Sequence, residues 1–243
     1  MSRFSRRWSL ALCWLLALGW TGTVLAQPRP PGKAAGEQNK SVLLPKYHIP
    51  SGSGKARTSL FGIVGEGYKF VYCFDRSGSM GGSGRNALRA VKAELLASLD
   101  RLDTVHQFQI IFYNERPVIF NPSGMPGRLA FANQQNKDRA RRFVDSIVSD
   151  GGTEHEDALR LAIRMRPDVI FFLTDGDDPK LTRDQLNTIQ RLAAGIIIHA
   201  IEFGPGKKPE GKSFLEVLAG ENGGQYAYVD LSRPSRPGDD AGQ

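Results

Sequence analysis

Three short clusters in this chain carry side chains that could do chemistry at fixed spacing. Asp75-Arg-Ser-Gly-Ser79 sets a carboxylate and two hydroxyls at every second position, with Gly81, Gly82 and Gly84 behind them. Gly151-Gly-Thr153 adds a third hydroxyl, and Thr174-Asp-Gly-Asp-Asp178 a second group of carboxylates. Asp75, Ser77, Ser79, Thr153 and Asp175 offer only hard oxygen donors, the kind that suit Mg²⁺ or Mn²⁺. Two carboxylates merely neutralise a divalent cation, so such an ion could accept a further anionic ligand from outside. Taken singly, short polar residues after an apolar run also fit a solvated turn. The decision lies with the elements that position them.

Other sites are less complete. His155-Glu-Asp-Ala-Leu159 begins like the zinc motif His-Glu-x-x-His, but Leu159 stands where the second histidine belongs. Asp175-Gly-Asp-Asp178 resembles the start of a calcium loop, yet Pro179 and Leu186 occupy two of its ligand positions. Gly78-Ser-Met-Gly81 lacks the spacing of a nucleophile elbow. Neither a general base nor an anion clamp sits at a recognisable spacing, although Arg76 and Arg85 are near.

The runs that must hold these clusters alternate in period. Lys69 to Phe74 and Asp168 to Thr174 are apolar stretches of strand length, each ending at a carboxylate, as expected of strands buried on both faces. Further strands are expected at Gln107 to Tyr113, Ile196 to Phe203 and Gln225 to Val229, with a short hairpin partner at Val118 to Phe120 and a lead-in at Phe61 to Val64. Helical spacing marks Asn86 to Leu102, Lys137 to Val148 and Glu154 to Met165, and Thr182-Arg-Asp-Gln185 reads as a capping box. This order predicts an α/β fold: a doubly wound, mostly parallel, Rossmann-like sheet with one antiparallel edge strand and helices on both faces. In such sheets ligands bind beyond the carboxyl ends of the strands, at the switch point of the strand order.

Composition bounds the rest. Arg3, Arg6 and Arg7 precede an apolar run from Trp8, and Val24-Leu25-Ala26 supplies small side chains, so residues 1–26 read as a secretory signal. The competing reading is an uncleaved anchor over residues 8–24 in the inner membrane. Either way the protein is expected to be exported, periplasmic or secreted. The leader holds three of the 32 basic residues and none of the 25 acidic ones, leaving 29 against 25. That excess is mild and dispersed, and no nucleic-acid partner is expected. Only Cys73 follows the leader besides Cys13 within it, so no disulfide can form in the mature chain. Residues 27–60 read as a flexible linker rich in Pro, Gly, Ser and Lys, 61–231 as the folded domain, and 232–243 as a disordered tail.

With its motifs in this order, the chain resembles a von Willebrand factor type A (VWA) domain, most closely the small exported bacterial members. Asp75-Arg-Ser-Gly-Ser79 matches that family's Asp-x-Ser-x-Ser, Thr153 its threonine ligand, and Asp175 in Leu-Thr-Asp-Gly its second aspartate. The resemblance implies a metal-ion-dependent adhesion site. In it Ser77, Ser79 and Thr153 would bind Mg²⁺ or Mn²⁺ directly, and Asp75 and Asp175 would bind directly or through water. A partner protein's acidic side chain would complete the shell. The expected function is thus metal-dependent protein binding without catalysis, with Met80, Arg85, Asn114, Glu115, His155 and Asp177 as candidate partner contacts. A metal-dependent hydrolase and an envelope scaffold with a structural metal are the alternatives.

Overall fold

The computed structural model describes residues 54–81, 87–176 and 179–232. The expected leader, most of the linker, the tail beyond Ser232, Arg85 and Asp177 lie outside the described residues. The first described elements form a hairpin, β1 (Ala56–Leu60) and β2 (Ile63–Gly67), paired antiparallel as a separate two-stranded sheet. Among the described residues, regular structure therefore reaches back five residues before the expected boundary at Phe61, into the end of the expected linker. Phe61 and Gly62 both have positive φ, at 47° and 79°, as a two-residue hairpin turn that follows the strand twist requires. The cost of that conformation at Phe61 is offset by contact: its ring meets Phe203 edge-on at 5.0 Å, and its N–H reaches Glu94 Oε2 at 3.3 Å.

The main sheet is built from β3 (Lys69–Asp75), β4 (Gln107–Tyr113), β5 (Val118–Ile119), β6 (Ala130–Phe131), β7 (Val169–Thr174), β8 (Ile197–Gly204) and β9 (Tyr226–Asp230). Its order is β5-β4-β3-β7-β8-β9, with β6 also paired to β4. The pairs among β4, β3, β7, β8 and β9 are parallel, and β5 and β6 are both antiparallel to β4. Two short antiparallel strands thus stand where one was expected.

Alternation along β3 shows why its sequence is apolar throughout. Phe70, Tyr72 and Phe74 enter one core with α1 (Ala87–Asp100), α2 (Gln134–Ser146) and the hairpin. Val71 and Cys73 enter the other with α3 (His155–Arg164), α4 (Arg183–Leu192) and α5 (Phe214–Glu221). Helix starts follow side-chain caps. Asn133 accepts the N–H of Asn136 and so starts α2 three residues before the expected Lys137, while Thr182 and Gln185 form the full capping box of α4. A buried hydroxyl chain fixes the hairpin to the sheet: Ser98 Oγ lies 2.6 Å from Thr58 Oγ1 and 2.8 Å from Tyr72 Oη.

The strand order reverses between β3 and β7: the chain runs from β3 outward to β4, then returns to place β7 on β3's other side. Phe74 is in register with Leu173, which sets Asp75 across from Thr174 at the carboxyl edge of the switch point.

Candidate metal centre at the carboxyl edge

Asp75 closes β3 fully buried, yet its carboxylate is provided for. Oδ1 accepts the N–H of Ser77 at 2.7 Å, and Oδ2 accepts the hydroxyl of Thr174 at 2.6 Å. Past Asp75 the chain makes a single 3-10 turn, Gly78–Gly81, closed by Met80 N–H to Ser77 O at 3.1 Å. That turn brings Ser77 Oγ and Ser79 Oγ to 3.1 Å from each other.

The loop before α3 is laced to this turn. Gly78 N–H donates to Gly151 O at 3.0 Å and Asp150 N–H to Arg76 O at 2.8 Å. Gly81 must lack a side chain, because a Cβ there would run into Ser149 Oγ. Thr153, half-buried, follows directly on this laced segment. Asp175, also half-buried, follows Thr174, and Gly176 with φ of 69° turns the chain over it while donating its N–H to Thr174 Oγ1 at 3.2 Å. The three segments carrying Asp75, Ser77, Ser79, Thr153 and Asp175 therefore meet at one edge.

Asn114, at the end of β4, is a structural clasp that the sequence pattern did not mark. Its Nδ2 donates to Asp150 O at 2.7 Å, its Oδ1 accepts from Arg116 N and Arg76 Nη2, and its own carbonyl accepts the N–H of Glu154. Glu115 is exposed and adds a bond from Gly152 N–H to Oε1 at 3.0 Å. Thr174 was missed likewise. Its place in register with the strand beside Asp75 is the signal, and only strand pairing exposes it.

Three of the expected partner contacts are corrected by burial. Met80 is wholly buried under α1, and Asn114 is committed to the loops it joins. His155 is buried rather than on the rim, with Tyr113 Oη 3.0 Å from its Nδ1 and its ring packed against Phe172 and Phe214. These side chains shape the edge from within. Of the six, Glu115 alone is both described and exposed.

The donor chemistry fits a hard divalent ion. Such an ion would be held by Ser77, Ser79 and Thr153, with Asp75 and Asp175 setting the charge, and it would supply an electrophilic position for an oxygen ligand. Burial first, and then the Asp75 charge, pushes the Cys73 thiol and the Tyr113 phenol well up, so both stay neutral. The Arg76 guanidinium is spent on Asn114 Oδ1 and the carbonyls of Val148 and Arg116. His199, stacked on Phe171 and accepting the Gln225 N–H, is pulled down to about 4 by burial.

This fold is the von Willebrand factor type A fold, and residues 70–177 match the family model of the von Willebrand factor type A domain. Among curated proteins, human inter-alpha-trypsin inhibitor heavy chain H4 is 29% identical over 171 residues, covering 63% of this chain and 17% of that one. The bovine protein of the same name is 26% identical over 171 residues. The chain thus corresponds to less than a fifth of the length of these relatives. Among solved structures, a von Willebrand factor type A protein from Catenulispora acidiphila superposes with a TM-score of 0.58 at 21% identity, over 70% of this chain and 42% of that one. BatB from Bacteroides thetaiotaomicron gives 0.53 at 18%, over 68% and 91%, and proximal thread matrix protein 1 of the mussel byssus 0.52 at 20%, over 68% and 42%.

Proposed function

We propose that this domain is an exported protein-binding module in which Mg²⁺ or Mn²⁺, held by Asp75, Ser77, Ser79, Thr153 and Asp175, captures an acidic side chain of a partner protein. The observation that carries this reading is the fully buried Asp75 carboxylate, fixed by Ser77 N–H and Thr174 Oγ1 at the switch point, beside two serine oxygens 3.1 Å apart. Two carboxylates cancel the charge of the ion, and the partner's carboxylate supplies the additional anionic ligand. The type A fold, which occurs in protein-interaction modules, supports the same class. Export is proposed on the arginine-led apolar leader, cleaved after Ala26 or retained as an anchor.

Binding is favoured over hydrolysis by where the reactive groups have gone. The histidine nearest the metal loop, His155, is buried against Tyr113, and Arg76 is tied to backbone carbonyls and Asn114. A hydrolase would want a base and an anion clamp facing the ion.

The test uses immobilised capped peptides of glycine with one central aspartate, or asparagine in its place. Capture of the aspartate peptide alone, in Mg²⁺ and not in EDTA, and its loss on Asp175→Asn, is the expected result. Equal capture in all conditions would contradict the reading. A rise in melting temperature with Mg²⁺ and no peptide capture would favour the scaffold role instead.

A further inference from the structure

On the far side of Asp175 from β3, a cleft of about 450 Å³ opens at the same edge of the sheet. Asp175 and Gly176 line its near end, Glu202 and Tyr228 come from β8 and β9, and the segment leading into α5 closes it. It is continuous with the loop that would hold the cation.

The cleft carries Lys180, Lys208 and Lys212. Lys208 is committed, with Nζ 2.7 Å from Glu216 Oε2 and 4.8 Å above the Tyr226 ring. Lys180 and Lys212 are exposed and have no ion-pair partner among the described residues. Of the acids, Glu202 is half-buried and its Oε2 receives the Tyr226 hydroxyl at 2.8 Å, while Glu210 is exposed. Ser213 caps α5 at this cleft, so the positive end of that helix faces the same space. With a divalent ion cancelling Asp75 and Asp175, the exposed charges lining this cleft outside an ion pair, among the described residues, are Lys180, Lys212 and Glu210, a net positive set.

We propose that this cleft is a second anion subsite, which takes a carboxylate of the partner chain lying two or three residues along from the one held by the cation. An extended chain advances about 3.3 Å per residue, so a second acid at that spacing stands roughly 7–10 Å from the first. The partner segment is then an acidic pair in extended conformation. This rests on the metal-capture reading for the first carboxylate. Lysine, a compact charge on a flexible stem, suits such a contact without demanding bidentate geometry.

The experiment compares two capped glycine peptides by nuclear magnetic resonance titration of the full chain. One carries a single aspartate; the other adds a glutamate two residues after it. In Mg²⁺ the two-acid peptide is expected to bind about fivefold tighter, the size of two exposed charge contacts, with the preference shrinking as salt rises. The double variant Lys180→Ala, Lys212→Ala should bind both peptides alike. Equal affinities in the unmodified chain, a preference that survives in the variant, or no binding of either peptide into the millimolar range would each overturn the proposal. An EDTA arm separates the two readings. If the one-acid peptide binds equally with Mg²⁺ and EDTA while the lysine-dependent preference persists, metal capture fails and the subsite stands.

Discussion

Thr174 is the residue on which the candidate centre turns. Its hydroxyl donates to Asp75 Oδ2 at 2.6 Å and accepts the Gly176 N–H at 3.2 Å, coupling the buried carboxylate to the turn that carries Asp175. Groups that orient ligands in this way change metal affinity by about 10–100-fold when removed. Thr174→Val keeps the shape and deletes the hydroxyl. Calorimetric Mg²⁺ titration should show affinity at least about tenfold weaker, restored by Thr174→Ser. Affinity unchanged by the valine would mean that Asp75 needs no such clamp. The five candidate oxygen donors could be picked out in the sequence because they sit in short motifs with fixed spacing. Thr174 and Asn114 could not, because what they do depends on which strand and which loop lie beside them. Residue type misled at His155: an imidazole two residues past Thr153 looks available, yet Tyr113, Phe172 and Phe214 enclose it.

At the scale of elements, the parallel core was the most readable part, since strands buried on both faces leave unbroken apolar runs such as Phe70 to Phe74 and Val169 to Leu173. The β1–β2 hairpin was only half seen. Its turn, Phe61-Gly62, lacks the Asn-Gly signature, and its first strand mixes Arg57, Thr58 and Ser59 among apolar residues. Thr58 is inward-facing because Ser98 satisfies its hydroxyl, a contact across 40 residues that no local pattern shows. Ala56, Leu60 and Ile63 close the core over α1 and Phe203. Losing β1 removes Leu60 and that hydroxyl chain together, a cost of about 3–5 kcal/mol by analogy with large-to-small core changes. A chain beginning at Phe61 should therefore melt about 6–20 °C below one beginning at Gly54. Equal melting temperatures would show the hairpin to be dispensable.

Across the whole molecule, the candidate centre occupies one edge of the main sheet. Gly54 O lies 3.1 Å from His106 Nε2 at the amino edge, the edge opposite Asp75 and Asp175. Every group of the candidate centre is at the carboxyl edge, where the strand order reverses. If that edge holds a cation whose open position takes a carboxylate, ion and ligand must strengthen one another by the same factor, because coupling between binding sites is reciprocal. Mn²⁺ binding followed by electron paramagnetic resonance, with and without the single-aspartate peptide, tests this directly. The account predicts one ion per chain, lost on Asp175→Asn, with the peptide tightening Mn²⁺ by about 5–150-fold, the usual range of such coupling. Mn²⁺ affinity indifferent to the peptide, or no ion retained, would contradict it.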